Sequence, residues 1–273
     1  MLYKQVEKFA QAMRQDMVEM TYRAGAAGAH IGGALSSADV LAVLYGAVLQ
    51  QSPTDPLNPN RDRFLLSKGH SAIALYAALH QAGFLTEEER NRFGEDGSFL
   101  PAHTVLNLEK GIELSSGSLG MGLSFGIGEA LYGKKKGLDY KVYVLVGNGE
   151  CNEGSIWEAI SLAAQLKLDH LYLIIDENHQ QLDGESKEIL EISSFPAILE
   201  SFGFEVYERE GHAIKELLEV FGQAGKKGKP VAILLHTKKG KGISFMENQP
   251  MWHHNRLTKE TYEQARRELE END

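Results

Sequence analysis

From Lys141 onward the chain alternates short apolar runs with helical segments, and this alternation restricts its fold more than any other feature. The runs KVYVLV, LYLIID, FEVYE and PVAILLH have strand length and are rich in β-branched and aliphatic residues. Between them lie SIWEAISLAAQLKL, FPAILESFG and AIKELLEVFGQAG, whose apolar positions recur at helical spacing. Strands separated by helices pair in parallel through right-handed crossovers. The predicted fold class is α/β, an open, mostly parallel sheet with helices on both faces.

The first 140 residues read less clearly. Val6, Phe9, Ala10, Met13, Met17 and Met20 fall at three- and four-residue spacings, which predicts an amphipathic helix ended by Gly25 and Gly28. Its methionine stripe is expected to be core or subunit contact. SADVLAVLYGAVLQ reads as a second helix with Ser36 or Ser37 as N-cap. After a proline-rich break, RFLLS reads as a buried strand and SAIALYAALHQAG as a helix. Thr86 and Glu89 have the spacing of a capping box. The glycine-rich stretches 111–128 and 147–154 are expected to be functional loops beside strand ends. With no repeat and no linker, residues 1–273 are expected to form one domain.

Composition removes several function classes. A net charge of -10 argues against a nucleic-acid binder, which needs a basic face to displace counterions from phosphates. The one cysteine, Cys151, has no second thiol for a disulfide or a zinc cluster. The charged N-terminus lacks a signal-peptide pattern, and no run approaches the ~20 apolar residues that span a bilayer. A soluble, cytoplasmic protein with no membrane contact is expected.

Chemistry concentrates in VLVGNGECNEG and the segment that follows it. The first strand ends at Val146, where Gly147 and Gly149 permit a tight turn with close backbone approach. A helix starting near Gly154 points its N-terminus at that turn, an arrangement that suits phosphate. The next strand ends at Asp176 and puts Asn178 and Gln180 on the neighbouring loop of the same sheet edge. Asn148 and Asn178, with a backbone carbonyl, would suffice for magnesium, which otherwise relies on substrate phosphate oxygens and water.

The words Gly147-Asn148-Gly149, Glu153-Gly154, Trp157-Glu158-Ala159, Asp176-Glu177-Asn178 and Asp183-Gly184 together resemble the metal–diphosphate motif of thiamine-diphosphate enzymes, in its transketolase form. The resemblance runs almost end to end. HIGGALSSADVLAVLY and DRFLLSKGHSAIALYA are similar to transketolase segments that carry active-site histidines, matched by His30 and His70. SSGSLGMGLSFGIGEAL is similar to a segment lying against the cofactor, with Gly117, Leu119 and Gly120 in register. His103 and His253 match two further active-site histidines.

The resemblance implies a thiamine diphosphate-binding fold that holds Mg2+ through Asn148, Asn178 and the Gln180 carbonyl. It also implies cofactor contacts from His70, Gly117, Leu119, Gly120, Gly147, Gly149, Glu150 and Asn178, and catalytic roles for His30, His70, His103 and His253. Three positions depart from the family pattern. Asn148 stands for an aspartate, His254 for the glycine after the final histidine, and Pro101-Ala102-His103-Thr104 for Gly-His-Pro. The family's pyrimidine-binding domain, with the glutamate that activates the cofactor, is not in this sequence. The expected protein is the N-terminal subunit of a split transketolase, transferring a two-carbon ketol unit between sugars or sugar phosphates. Its expected partner is a C-terminal transketolase subunit, in a heterotetramer built on a homodimer. The sequence leaves open a deoxyxylulose-phosphate synthase-like or 2-oxo-acid dehydrogenase E1-like subunit, and a non-catalytic homologue. His80, His170, His179, His212 and His236 match no motif and are expected to be structural. Lys238, Lys239 and Lys241 are expected on a solvated surface, with contact to substrate phosphate or to the partner chain as the functional alternative, and the acidic tail is expected to be a solvated helix end.

Overall fold

A computed structural model describes residues 2–271. Helices α1 (Leu2–Arg23), α2 (Ile31–Ser36) and α3 (Ala38–Val43) precede strand β1 (Arg63–Leu66). Helix α4 (Ala72–Gln81), the short α5 (Glu87–Asn91) and α6 (Gly122–Lys136) lead to β2 (Val142–Gly147). There follow α7 (Gly154–Gln165), β3 (Leu171–Glu177), α8 (Ser186–Ile189), α9 (Phe195–Phe202), β4 (Glu205–Glu210), α10 (Ile214–Gln223), β5 (Val231–His236) and α11 (Lys259–Glu271).

Among the described residues five strands form one sheet in the order β1-β2-β3-β5-β4, every pair parallel. Side chains alternate between its faces, as a pleat requires. Tyr143, Leu145, Tyr172, Ile174, Ile233 and Leu235 join a core with α1 to α4 and α10. Val144, Val146, Leu173, Ile175 and Leu234 join a second core with α6, α7 and α9. Crossover handedness explains this division. The chain moves outward from β1 to β4 with α6, α7 and α9 on one face, then returns to β5 with α10 on the other.

Several local readings hold in atomic detail. Val6, Ala10, Met13, Met17 and Met20 of α1 are fully buried within the chain, so the methionine stripe is core. Thr86 and Glu89 form the reciprocal capping box.

Others need correction. Ser37 occupies the N-cap position of α3 but its side chain caps no N–H, and a helical turn, α2, already precedes it from Ile31. Ser37 Oγ donates back to the Gly33 carbonyl at 3.1 Å, the local bond by which a hydroxyl bends a helix. The second half of the 111–128 stretch is the start of α6, where Gly122 and Gly126 let the helix lie against Ser67 and Val144. The acidic C-terminal segment is a docked helix, with Ala265 and Leu269 buried and Tyr262 stacked on Tyr22 at 4.1 Å. Among the described residues no helix is long and apolar enough to cross a membrane.

Candidate functional site

Parallel strands all end at one sheet edge, and there the loops after β2 and β3 meet. The backbone N–H of Asn148 donates to the Asp176 carbonyl at 3.0 Å and ties them together. Asn148, Asn178 and Gln180 line one cavity of about 370 Å3, together with Gly147, Gly149 and Glu150. Asn148 Nδ2 donates to Ser186 Oγ at 2.7 Å, which fixes the amide plane. Asn178 Nδ2 donates to Asp176 Oδ2 at 3.2 Å, and its Oδ1 accepts from the Gln180 N–H at 3.1 Å. That second bond is an Asx turn that shapes the loop. Gln180 Nε2 bonds the Asn248 carbonyl at 3.0 Å.

Asp176 organises this edge, a role its sequence position did not reveal. Its carboxylate, 1% exposed, accepts from Ser36 at 2.7 Å and also from Lys68 and Thr237. Burial alone would raise its pKa, yet the Lys68 charge and these hydrogen bonds outweigh burial and lower it. Lys68 also donates to the Gly33 carbonyl at 2.9 Å, so a single buried ion pair joins the β1, β3 and α2 segments.

Glu150 lines the cavity with its carboxylate engaged by the protein. Its carboxylate accepts the Gly120 N–H at 2.9 Å, the Gly147 N–H at 3.2 Å and the Ser67 hydroxyl. It thereby draws the 117–120 segment onto the β2 loop. Burial raises its pKa despite these bonds. Gly120 is required there, since φ is +81° and a Cβ would lie 2.5 Å from Ser155 Oγ. Gly69 has a parallel function, because a Cβ would collide with Ser116 and separate the His70 segment from Gly117.

The histidines converge. The His30 ring lies 5.7 Å from His70, 5.3 Å from His103, 5.4 Å from His253 and 4.4 Å from His254, centroid to centroid. His70, His253, Gly117 and Leu119 line the cavity itself, while His30 and His103 extend the cluster from it. Burial, with help from neighbouring histidines, lowers the pKa of His30 to about 3. Burial and then the Lys239 charge lower that of His253 to about 4, and burial with the Lys68 charge puts His70 well below its ordinary value. These three rings are neutral at pH 7, each with one N–H donor and one bare nitrogen. The Nδ1 atoms of His30 and His253 are buried without a hydrogen-bond partner.

Lys239 departs from the expected solvated run. It is 2% exposed and lines the cavity, its Nζ reaching only the Gln181 carbonyl at 3.3 Å. Lys238 and Lys241 instead face Glu247, at 2.9 and 3.9 Å. Burial, then repulsion from Lys68, brings the pKa of Lys239 down to about 8, with Asp176 pulling the other way. Neighbours in sequence carried no sign of this, because burial of one lysine among three is set by tertiary packing. Among the histidines expected to be structural, His80 pairs with Asp16 and His212 with Asp39, each at 2.7 Å. His179 and His236 lie at the surface beside Glu177.

Two amide side chains with a loop carbonyl at one wall suit a hard cation that shares phosphate oxygens. A buried lysine beside them suits the phosphates, and the uncharged imidazoles opposite suit a hydroxylated molecule. Fold and site together define an α/β protein with a polar cavity at the carboxyl edge of a parallel sheet. The chain belongs to the transketolase family, matching the model described as transketolase, thiamine diphosphate binding domain, over residues 5–272. It is 42% identical to one of the subunits of the apulose-4-phosphate transketolase of Phocaeicola vulgatus, over 94% of this chain and 91% of that one. It is 40% identical to the 6-deoxy-6-sulfo-D-fructose transketolase subunit SqwG of a Clostridium species, covering 88% of each. The solved transketolase of Leishmania mexicana superposes with a TM-score of 0.90 at 30% identity, over 97% of this chain. The chain spans 41% of that longer protein.

Proposed function

We propose that this chain is the N-terminal subunit of a split, cytoplasmic transketolase, folded as one domain, whose second subunit carries the pyrimidine-binding domain. The observation that carries the reading is the convergence of the Asn148 and Asn178 loops, Lys239 and the histidine cluster on one cavity. Relatives of similar length are named as subunits of transketolases, which supports a separate partner. Asn148 and Asn178, with the Gln180 carbonyl, hold Mg2+, and the Gly147–Gly149 turn and Lys239 face the diphosphate. Glu150 contributes by holding Gly120 and Gly147 in position. When bound, thiamine diphosphate supplies an electron sink that allows the carbon–carbon bond beside a ketose carbonyl to break. The rings of His30, His70, His103 and His253 orient sugar hydroxyls and exchange protons with them. The assembly proposed is a homodimer of such pairs, a heterotetramer, acting on sugars or sugar phosphates. The test is ketol transfer by the chain mixed with the product of an adjacent reading frame. Transfer in the mixture and in neither chain alone supports the reading; inactivity of the mixture across ketose phosphates with saturating cofactor contradicts it.

Two further results are expected in the mixture. Asn148→Asp restores a carboxylate that can accept from Ser186 and bind magnesium, so Mg2+-dependent cofactor affinity is expected to rise ~10-fold. Unchanged or weaker binding by calorimetry would remove Asn148 from the metal site. Lys239 gives a pH dependence whose sign is fixed by its lowered pKa. It is charged below about pH 8 and neutral above it, so diphosphate affinity is lost as pH rises through that value. At pH 9 the affinity is expected to be about tenfold below its value at pH 7. Lys239→Met should be weak at both pH values and flat between them.

A further inference from the structure

Outside the cavity, the same sheet edge carries a second group of donors. Glu177 and His236 are register partners on β3 and β5, so the parallel pairing itself puts their side chains on one face. His179 follows two residues after Glu177 with φ at +58°, a left-handed conformation that few non-glycine residues adopt. The backbone holds it there through the Ser186 N–H, which donates to the His179 carbonyl at 2.9 Å.

The hydrogen-bond arrangement is one-sided. His236 Nε2 lies 2.7 Å from Glu208 Oε1, and its Nδ1 lies 3.3 Å from Glu177 Oε2. With Nε2 engaged by Glu208, Nδ1 is the nitrogen that His236 turns toward Glu177. His179 Nδ1 approaches the other Glu177 oxygen at 4.0 Å. Ligand atoms from the three residues all lie within 4.8 Å of one another. Zinc bonds of about 2.0–2.1 Å at tetrahedral angles separate ligand atoms by about 3.3 Å, so a small rotation of the exposed His179 ring completes the set. The Glu208 contact is the outer hydrogen bond that orients a metal-binding imidazole. The adjoining cavity, about 710 Å3, is also lined by Glu185, Glu191 and Glu200, while its Lys187 is paired with Glu185 at 2.6 Å. The field there attracts cations.

We propose that Glu177, His179 and His236 form a second metal site, distinct from the magnesium site, for a divalent transition ion of the zinc class. Two nitrogen donors select that class over magnesium or calcium. Three protein ligands leave a fourth position open to water or to a donor from another molecule.

The test is calorimetric titration of zinc chloride into the intact chain with magnesium in excess, repeated with cobalt(II) to read its visible absorption. One equivalent is expected to bind with a dissociation constant below about 10 µM. His179→Ala and His236→Ala should each weaken it at least tenfold, and Glu208→Gln by a smaller factor, with zinc-free melting curves unchanged for the exposed His179 variant. Absence of binding in the parent chain overturns the proposal. So does binding that survives both histidine substitutions, or that disappears in His253→Ala instead, which would put the zinc among the cavity histidines.

Discussion

Asp176→Ala is expected to destabilise the chain by about 3–5 kcal/mol, the cost of stranding one member of a buried ion pair. Lys68, 1% exposed, would be left in the sheet edge with only the Gly33 carbonyl as hydrogen-bond partner. Ser36, Thr237 and Asn178 would each lose a hydrogen-bond acceptor at the same time. Denaturant unfolding checks the magnitude, and a second substitution checks the cause. Combining Asp176→Ala with Lys68→Met removes the stranded charge and should recover part of the loss. Equal stability of the single and double variants would mean that the ion pair is not what joins these segments.

Asn178→Ala has its largest effect on binding. Asn178 supplies an amide oxygen at the proposed metal position and also turns its loop through the Gln180 N–H. Both functions end with the side chain, so Mg2+-dependent cofactor affinity in the assembled pair should fall ~100-fold, about 2.7 kcal/mol. The melting temperature of the free chain should move by only a few degrees, as expected for ~1 kcal/mol in a chain of this size. A loss of less than threefold in affinity would exclude Asn178 as a ligand.

The sheet was legible because β2, β3 and β5 are nearly continuous apolar runs buried on both faces, while the edge strand β4, EVYERE, carries a weaker alternating signal. The cofactor loops were legible from turn chemistry at strand ends and from their resemblance to a family motif. Less visible was everything that depends on contacts between distant segments. Asp176 reads in sequence as the last residue of a strand, yet its partners come from positions 36, 68 and 237. Lys239 reads as one of three surface lysines, and only packing against the β3 loop and Lys68 buries it. Glu150, expected at the cofactor, lines the cavity, and the three protein groups its carboxylate accepts from come from distant or turn positions that its place in the motif does not reveal. His254 stood out as a departure from the family glycine. In the fold its ring joins the cluster at 4.4 Å from His30, a contact that no local pattern encodes.

The most direct test of a split active site is calorimetry of thiamine diphosphate with Mg2+, on the chain alone and on the chain mixed with its pyrimidine-domain partner. Weak or undetectable binding alone and tight, magnesium-dependent binding in the mixture are predicted. Absence of binding in both would contradict the account.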